Sequence, residues 1–164
     1  MKTLKVLLVS AFALVALSSS AQQAIGLRFG GGSASGADIS YQRAMSDANR
    51  LQLDLGIDID GDYTNFGLTG TYQWVFDLAD VTDGLQWFVG PGAQLGFWDY
   101  DYEYNGVDYG NNGSYFGIGG ILGIDYTFTE VPIQLSLDTR PMYQVIDGEG
   151  DAYWGIALGV RYAF

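Results

Sequence analysis

The sequence contains no cysteine and no histidine. The first absence excludes disulfides, thiol nucleophiles and thiolate-bound metals. The second removes the commonest general base and the commonest transition-metal ligand. Lysine occurs only at Lys2 and Lys5. Beyond residue 21 the cations are Arg28, Arg43, Arg50, Arg140 and Arg161, five against nineteen carboxylates, a formal charge of −14. Such a surface repels a phosphate backbone, so no nucleic-acid partner is expected. Prolines number only three. Beyond residue 21 no segment reaches the roughly 18 consecutive apolar residues of a spanning helix. If this chain crosses a membrane, strands must do it.

The first 21 residues stand apart. Met1-Lys-Thr-Leu-Lys5 is basic, Val6 to Leu17 is apolar, and Ser18-Ser-Ser-Ala21 supplies small residues before a cut after Ala21. This layout predicts a cleaved secretory signal peptide over 1–21 and one mature domain over 22–164. The apolar run is too short for a retained membrane anchor. The mature part is rich in strand and turn formers, within a chain of 24 glycines, 12 tyrosines, nine phenylalanines and four tryptophans.

The C-terminal stretch 152–164 carries the plainest pattern. Trp154, Ile156, Leu158, Val160, Tyr162 and Phe164 are large and apolar, whereas Gly155, Ala157, Gly159 and Ala163 are small and Arg161 is charged. Period two means a β-strand with unlike faces. Aromatics at both ends of a long apolar face suit the girdles of a lipid-facing strand. Seven more segments alternate in the same way: 24–31, 37–44, 49–58, 63–76, 85–98, 114–128 and 133–144. Pro91 lacks a ladder donor, which predicts a bulge or weak pairing beside it.

The expected fold is all-β: an eight-stranded antiparallel up-and-down transmembrane β-barrel. An even count puts both termini on one side. Loops at 32–35, 59–62, 99–113 and 145–151 then face outside the cell, and turns at 45–48, 77–84 and 129–132 face the periplasm. The inward positions test the idea. Arg28, Arg50, Arg140 and Arg161 fall inward, as do Asp38, Asp54, Asp125 and Asp138. Four cations thus meet four anions in a very acidic chain, and lumen ion pairs are expected among them. Arg43 alone points outward, near the periplasmic end, where it can snorkel.

On the signal peptide, the eight segments, the charged inward set and the terminal Tyr-Ala-Phe, the chain resembles the small outer-membrane barrels of the OmpA transmembrane-domain and OmpX type, within the porin-like outer-membrane proteins. The resemblance implies residence in the bacterial outer membrane, insertion by the barrel assembly machinery, and an interior plugged by side chains. It implies that Tyr162 and Phe164 act as an assembly signal. It also implies a structural or surface-interaction role, with outer-membrane lipid and an extracellular partner as contacts.

The acidic loops are the remaining candidates. Trp98-Asp-Tyr-Asp-Tyr-Glu-Tyr104 alternates acid and aromatic and could continue strand five as a projecting, adhesive hairpin. Asp58, Asp60, Asp62, Asp99, Asp101 and Glu103, and also Asp147, Glu149 and Asp151, are candidate contacts for a divalent cation or a partner. An EF-hand fails at 58–69, where Tyr63 replaces the required glycine and Thr69 the bidentate glutamate. Gly117-Ile-Gly-Gly-Ile-Leu-Gly123 lies mid-strand with no helix after it, so its glycines make inward space rather than a nucleotide site. No cofactor is expected. With no histidine to activate a serine, no enzyme is expected either. Two alternatives remain open: a narrow channel for small or apolar solutes, similar to OmpW-like barrels, and a soluble barrel with apolar inside and polar outside.

Overall fold

The computed structural model of the chain describes residues 22–31, 36–60, 63–104, 107–146 and 152–164. The expected signal segment 1–21 lies outside them. Eight strands form: β1 (Gln23–Gly30), β2 (Ala37–Ser46), β3 (Asn49–Asp60), β4 (Tyr63–Asp77), β5 (Leu85–Tyr104), β6 (Val107–Thr127), β7 (Ile133–Ile146) and β8 (Ala152–Ala163). Each pairs antiparallel with its chain neighbours, and β8 returns to β1, so the sheet closes into a barrel. Closure extends to the final residue: Phe164 N donates to Gln23 O at 2.8 Å, and Gln23 N donates to Phe164 O at 3.0 Å. Closing the ring leaves no sheet edge along the wall, as strands in hydrocarbon require.

Side-chain polarity is inverted relative to a soluble barrel. Leu158 is 61% exposed and Leu137 43%, while Arg140 is 0% and Arg161 2% exposed. Ile25, Leu27, Phe29, Leu122, Ile124, Ile156 and Val160 are also exposed, and Arg28, Asp38, Asp54, Asp125 and Asp138 are buried. The soluble alternative required the opposite. Tyr41, Leu55 and Phe66 hold outward register, opposite Ile25, Ile39 and Ile57, although little of each is exposed. Aromatic pairs ring the end of the barrel that holds the chain terminus: Phe76 stacks on Trp87 at 4.3 Å, Tyr126 meets Phe128 edge-on at 4.8 Å, and Tyr162 lies 6.1 Å from Phe164.

Within the stretch expected as the 99–113 loop, β5 runs on to Tyr104 and β6 begins at Val107, as the hairpin reading of 98–104 anticipated. Strands β5 and β6 stay in register from Leu85↔Tyr126 to Tyr104↔Val107. The acid–aromatic alternation is the reason, since it is itself a strand pattern. Likewise β3 runs through Asp60 and β7 through Ile146. The long 78–84 turn is ordered by Ala79 N donating to Asp77 Oδ1 at 2.9 Å and Val81 N to Leu78 O at 2.8 Å, and Gly84 at its end has φ +85°. That left-handed conformation favours glycine.

Pro91 behaves as expected. The β4–β5 ladder pairs Thr71 with Gly92 and resumes at Trp74 with Val89. Pro141 does the same between β6 and β7, which the sequence reading did not single out: Leu122 pairs with Thr139 and the next pair is Gly119 with Met142. Inward glycines seat large neighbours. A Cβ on Gly123 would lie 2.5 Å from Phe88 Cζ, and one on Gly113 2.6 Å from Trp98 Cε2.

Candidate functional site

The interior is built from alternate residues of all eight strands, and it sorts into two layers. In the outer layer Arg28 joins Asp138 through Nη2–Oδ1 at 2.7 Å, with Nε donating to both carboxylate oxygens at 3.1 Å. Its Nη1 reaches Asp38 Oδ2 at 3.4 Å, and its Nη2 donates to Gly31 O at 3.0 Å. Arg140 pairs with Asp54 and lies 3.6 Å from Asp138. These contacts tie β1, β2, β3 and β7 together across the lumen. In the inner layer Arg50 Nη2 meets Asp125 Oδ2 at 2.5 Å, its Nε donates to Gln73 Oε1 at 2.5 Å, and its guanidinium lies 4.4 Å over the Phe88 ring.

Arg161 corrects the expected set. It points inward, but among the described residues it makes no ion pair. Its Nε donates to Ser40 Oγ at 2.9 Å and its Nη1 to Ser136 Oγ at 2.8 Å. The reason lies in the ladder: Arg161 sits opposite Gly26 and Gln134, so hydroxyls rather than carboxylates come within reach. The other seven predicted lumen residues, Arg28, Asp38, Arg50, Asp54, Asp125, Asp138 and Arg140, all enter ion pairs.

Glutamines join the layers, a role the sequence reading missed. Gln42 Nε2 and Gln73 Nε2 donate to Gln52 Oε1 at 2.7 and 2.9 Å, and Gln52 Nε2 donates to Asp54 at 2.9 Å. The signal was present: Gln42, Gln52 and Gln73 fall on inward positions of three successive strands. These partners offset the cost of burying charge in low dielectric, though not at every atom: Asp125 Oδ1, Arg140 Nε and Nη1, and Arg161 Nη2 are buried with no hydrogen-bond partner among the described residues. Below the network a polar vestibule of about 580 Å³ opens at the end that holds Phe164, lined by Gln42, Arg50, Gln86 and Gln134 among others. Above it the lumen is packed with Gln52, Gln73, Arg140 and Phe88, all fully buried. Side chains thus fill the centre, as a barrel of eight strands allows.

The acidic candidates do not converge. Asp58 pairs with Asn65 on the inward register, and Asp99 pairs with Thr64 on the outward register, so these two lie on opposite faces of the wall. Asp60, Asp101 and Glu103 sit at strand ends whose side chains lie outside the described set. Asp62, Asp147, Glu149 and Asp151 lie outside the described residues altogether. Among the described residues no three carboxylates are arranged to hold a metal ion. Tyr162 and Phe164 are exposed on the outer face at the end of the closing strand.

The sequence matches no protein-family model, and no curated protein is similar to it. Its structure is similar to solved barrels. The N-terminal β-barrel domain of Pseudomonas aeruginosa OprF superposes with a TM-score of 0.61 at 18% identity, over 88% of this chain and 100% of that one. Outer membrane protein H of P. aeruginosa gives 0.59 at 14% identity, over 87% and 99%. Neisserial surface protein A gives 0.54 at 17% identity, over 88% and 96%. At such identities the likeness speaks for the fold. Closed topology, inverted polarity and these superpositions agree: the chain has the fold of the small eight-stranded outer-membrane β-barrels.

Proposed function

We propose that this chain is exported, resides in the bacterial outer membrane, and serves as a structural barrel that meets surface partners through its β5–β6 hairpin. It carries out no catalysis in this reading. One observation carries the interaction role. The last β4–β5 pair is Tyr63↔Tyr100 and the β6–β7 ladder ends at Phe116↔Ile146, yet β5 and β6 continue together to Tyr104↔Val107. Among the described residues a two-stranded ribbon therefore continues beyond its neighbours, and its backbone edges past Tyr100 can add a partner strand. Its sequence, rich in tyrosine and carboxylate, suits a polar partner with cationic groups. The filled centre favours this role over the narrow-channel alternative. In the same reading, Tyr162 and Phe164 present the terminal strand to the assembly machinery.

The hairpin can be shortened without disturbing the wall. Deleting residues 102–109 joins Asp101 to Gly110, which are partners in the ladder. The resulting Asp-Gly is a favoured two-residue hairpin turn. The expected result is a barrel that inserts and melts as before, while partner recovery in a cell-surface pulldown is lost. Equal recovery with the shortened hairpin would overturn the interaction role.

A further inference from the structure

The lumen mouth beside Phe164 holds the vestibule of about 580 Å³, a volume within the roughly 300–1,000 Å³ of small-molecule pockets. The space follows from the sequence. At this end the inward residues of β1, β2 and β8 are Ala24, Ala44 and Ala163, and their short side chains leave room. Carboxamides border that room: Gln42, Asn49, Gln86 and Gln134 line it, together with Arg50.

Two buried acceptors at this end are unsatisfied. Gln134 is 6% exposed, and its Oε1 meets no hydrogen-bond donor among the described residues. Asp125 is its diagonal neighbour on the inner face, since Thr127 faces Gln134 and Asp125 faces Ser136. Arg50 holds Asp125 by Oδ2, and Oδ1 is likewise without a donor. Buried acceptors in that state are unfavourable until something donates to them. Charge then selects the donor. An anion would meet these bare acceptors and Asp47 in the lining. A cation would meet the Arg50 guanidinium, which already neutralises Asp125. An apolar solute would strip the carboxamides of water and return nothing. Uncharged hydroxyls both donate and accept, as carboxamides do, so they match this wall. We propose that the vestibule is a binding site for a short, uncharged saccharide, which donates a hydroxyl to Gln134 Oε1. The site goes beyond the surface role above and depends on the barrel's geometry alone.

The full chain, folded in phosphocholine micelles that carry no sugar headgroup, is titrated with maltose, trehalose and N,N′-diacetylchitobiose, each to its solubility limit. Nitrogen-15 spectra of the side-chain carboxamides give the readout. At least one disaccharide should move the Gln86 signal along a saturable one-site curve. Gln134→Met keeps the side chain's shape and removes an unsatisfied acceptor, so the barrel should melt no lower than the parent. Affinity for that disaccharide should nevertheless fall about tenfold, equivalent to about 1.4 kcal/mol. Gln144→Met, at an inward position toward the opposite mouth where it pairs with Gly117, should change neither. No saturable shift with any of the three would overturn the site and assign the two acceptors to water alone. Undiminished affinity in Gln134→Met would overturn the anchoring role. Saturation by spermidine or inorganic phosphate where no disaccharide saturates would overturn the uncharged ligand class.

Discussion

Replacing Arg140 with alanine is expected to destabilise the barrel by about 3–5 kcal/mol, the range for breaking one partner out of a buried ion pair. Arg140 is fully buried, pairs with Asp54 and lies 3.6 Å from Asp138. Its removal leaves Asp54 held chiefly by Gln52, which donates at 2.9 Å, and deprives Asp138 of one of two cations. The penalty is the desolvation of a carboxylate that has lost its counter-charge, rather than the worth of the contact itself. A paired substitution separates the two effects. Arg140→Met together with Asp54→Asn removes both charges and should cost less than the two single changes added together. Reversible urea unfolding in lipid vesicles measures the parent, Arg140→Ala, the two single changes of the pair and the double variant, five proteins in all. If Arg140→Ala unfolds with the parent, the lumen network does not hold this barrel together.

Leu158→Arg is expected to cost about 2–4 kcal/mol or to block insertion, whereas Ile133→Arg should cost about 0–1 kcal/mol. Both residues face outward, and the difference is depth. Leu158 lies midway along β8 between Phe29 and Leu137, while Ile133 opens β7 at the barrel rim opposite Tyr162. A guanidinium at the rim can snorkel to water, but one at mid-wall cannot without deforming the bilayer. Outer-membrane yield and the heat-dependent gel shift of the folded form give the readout. Equal effects at the two positions would argue against a hydrocarbon slab around the wall.

The architecture was legible because one period governs the strands from Gln23 to Ala163. Leu51, Leu53, Leu55 and Ile57 against Arg50, Gln52 and Asp54 already separate the two faces, and a one-residue slip would put every charge into lipid. That constraint also located the buried arginines and aspartates. The partners among them were harder to read. Arg161 was grouped with the ion-paired residues because alternation gives a face but no cross-lumen distance, and Ser40 and Ser136 proved to be the groups in reach. Strand ends were also less legible. The stretch 99–113 reads as a loop by charge and glycine content, yet its alternation continues the ladder. Pro141 escaped notice because its effect depends on Gly120, a neighbour fixed only once β6 and β7 are in register.

The most direct test places single cysteines at positions 156 to 161 of β8 in the vesicle-inserted protein, each carrying a spin label, and measures collision with oxygen dissolved in the bilayer. Labels at 156, 158 and 160 should collide freely, and labels at 157, 159 and 161 should be shielded, with a strict period of two. A flat profile, or one with its maxima at 157, 159 and 161, would contradict an apolar exterior wrapped around a charged interior.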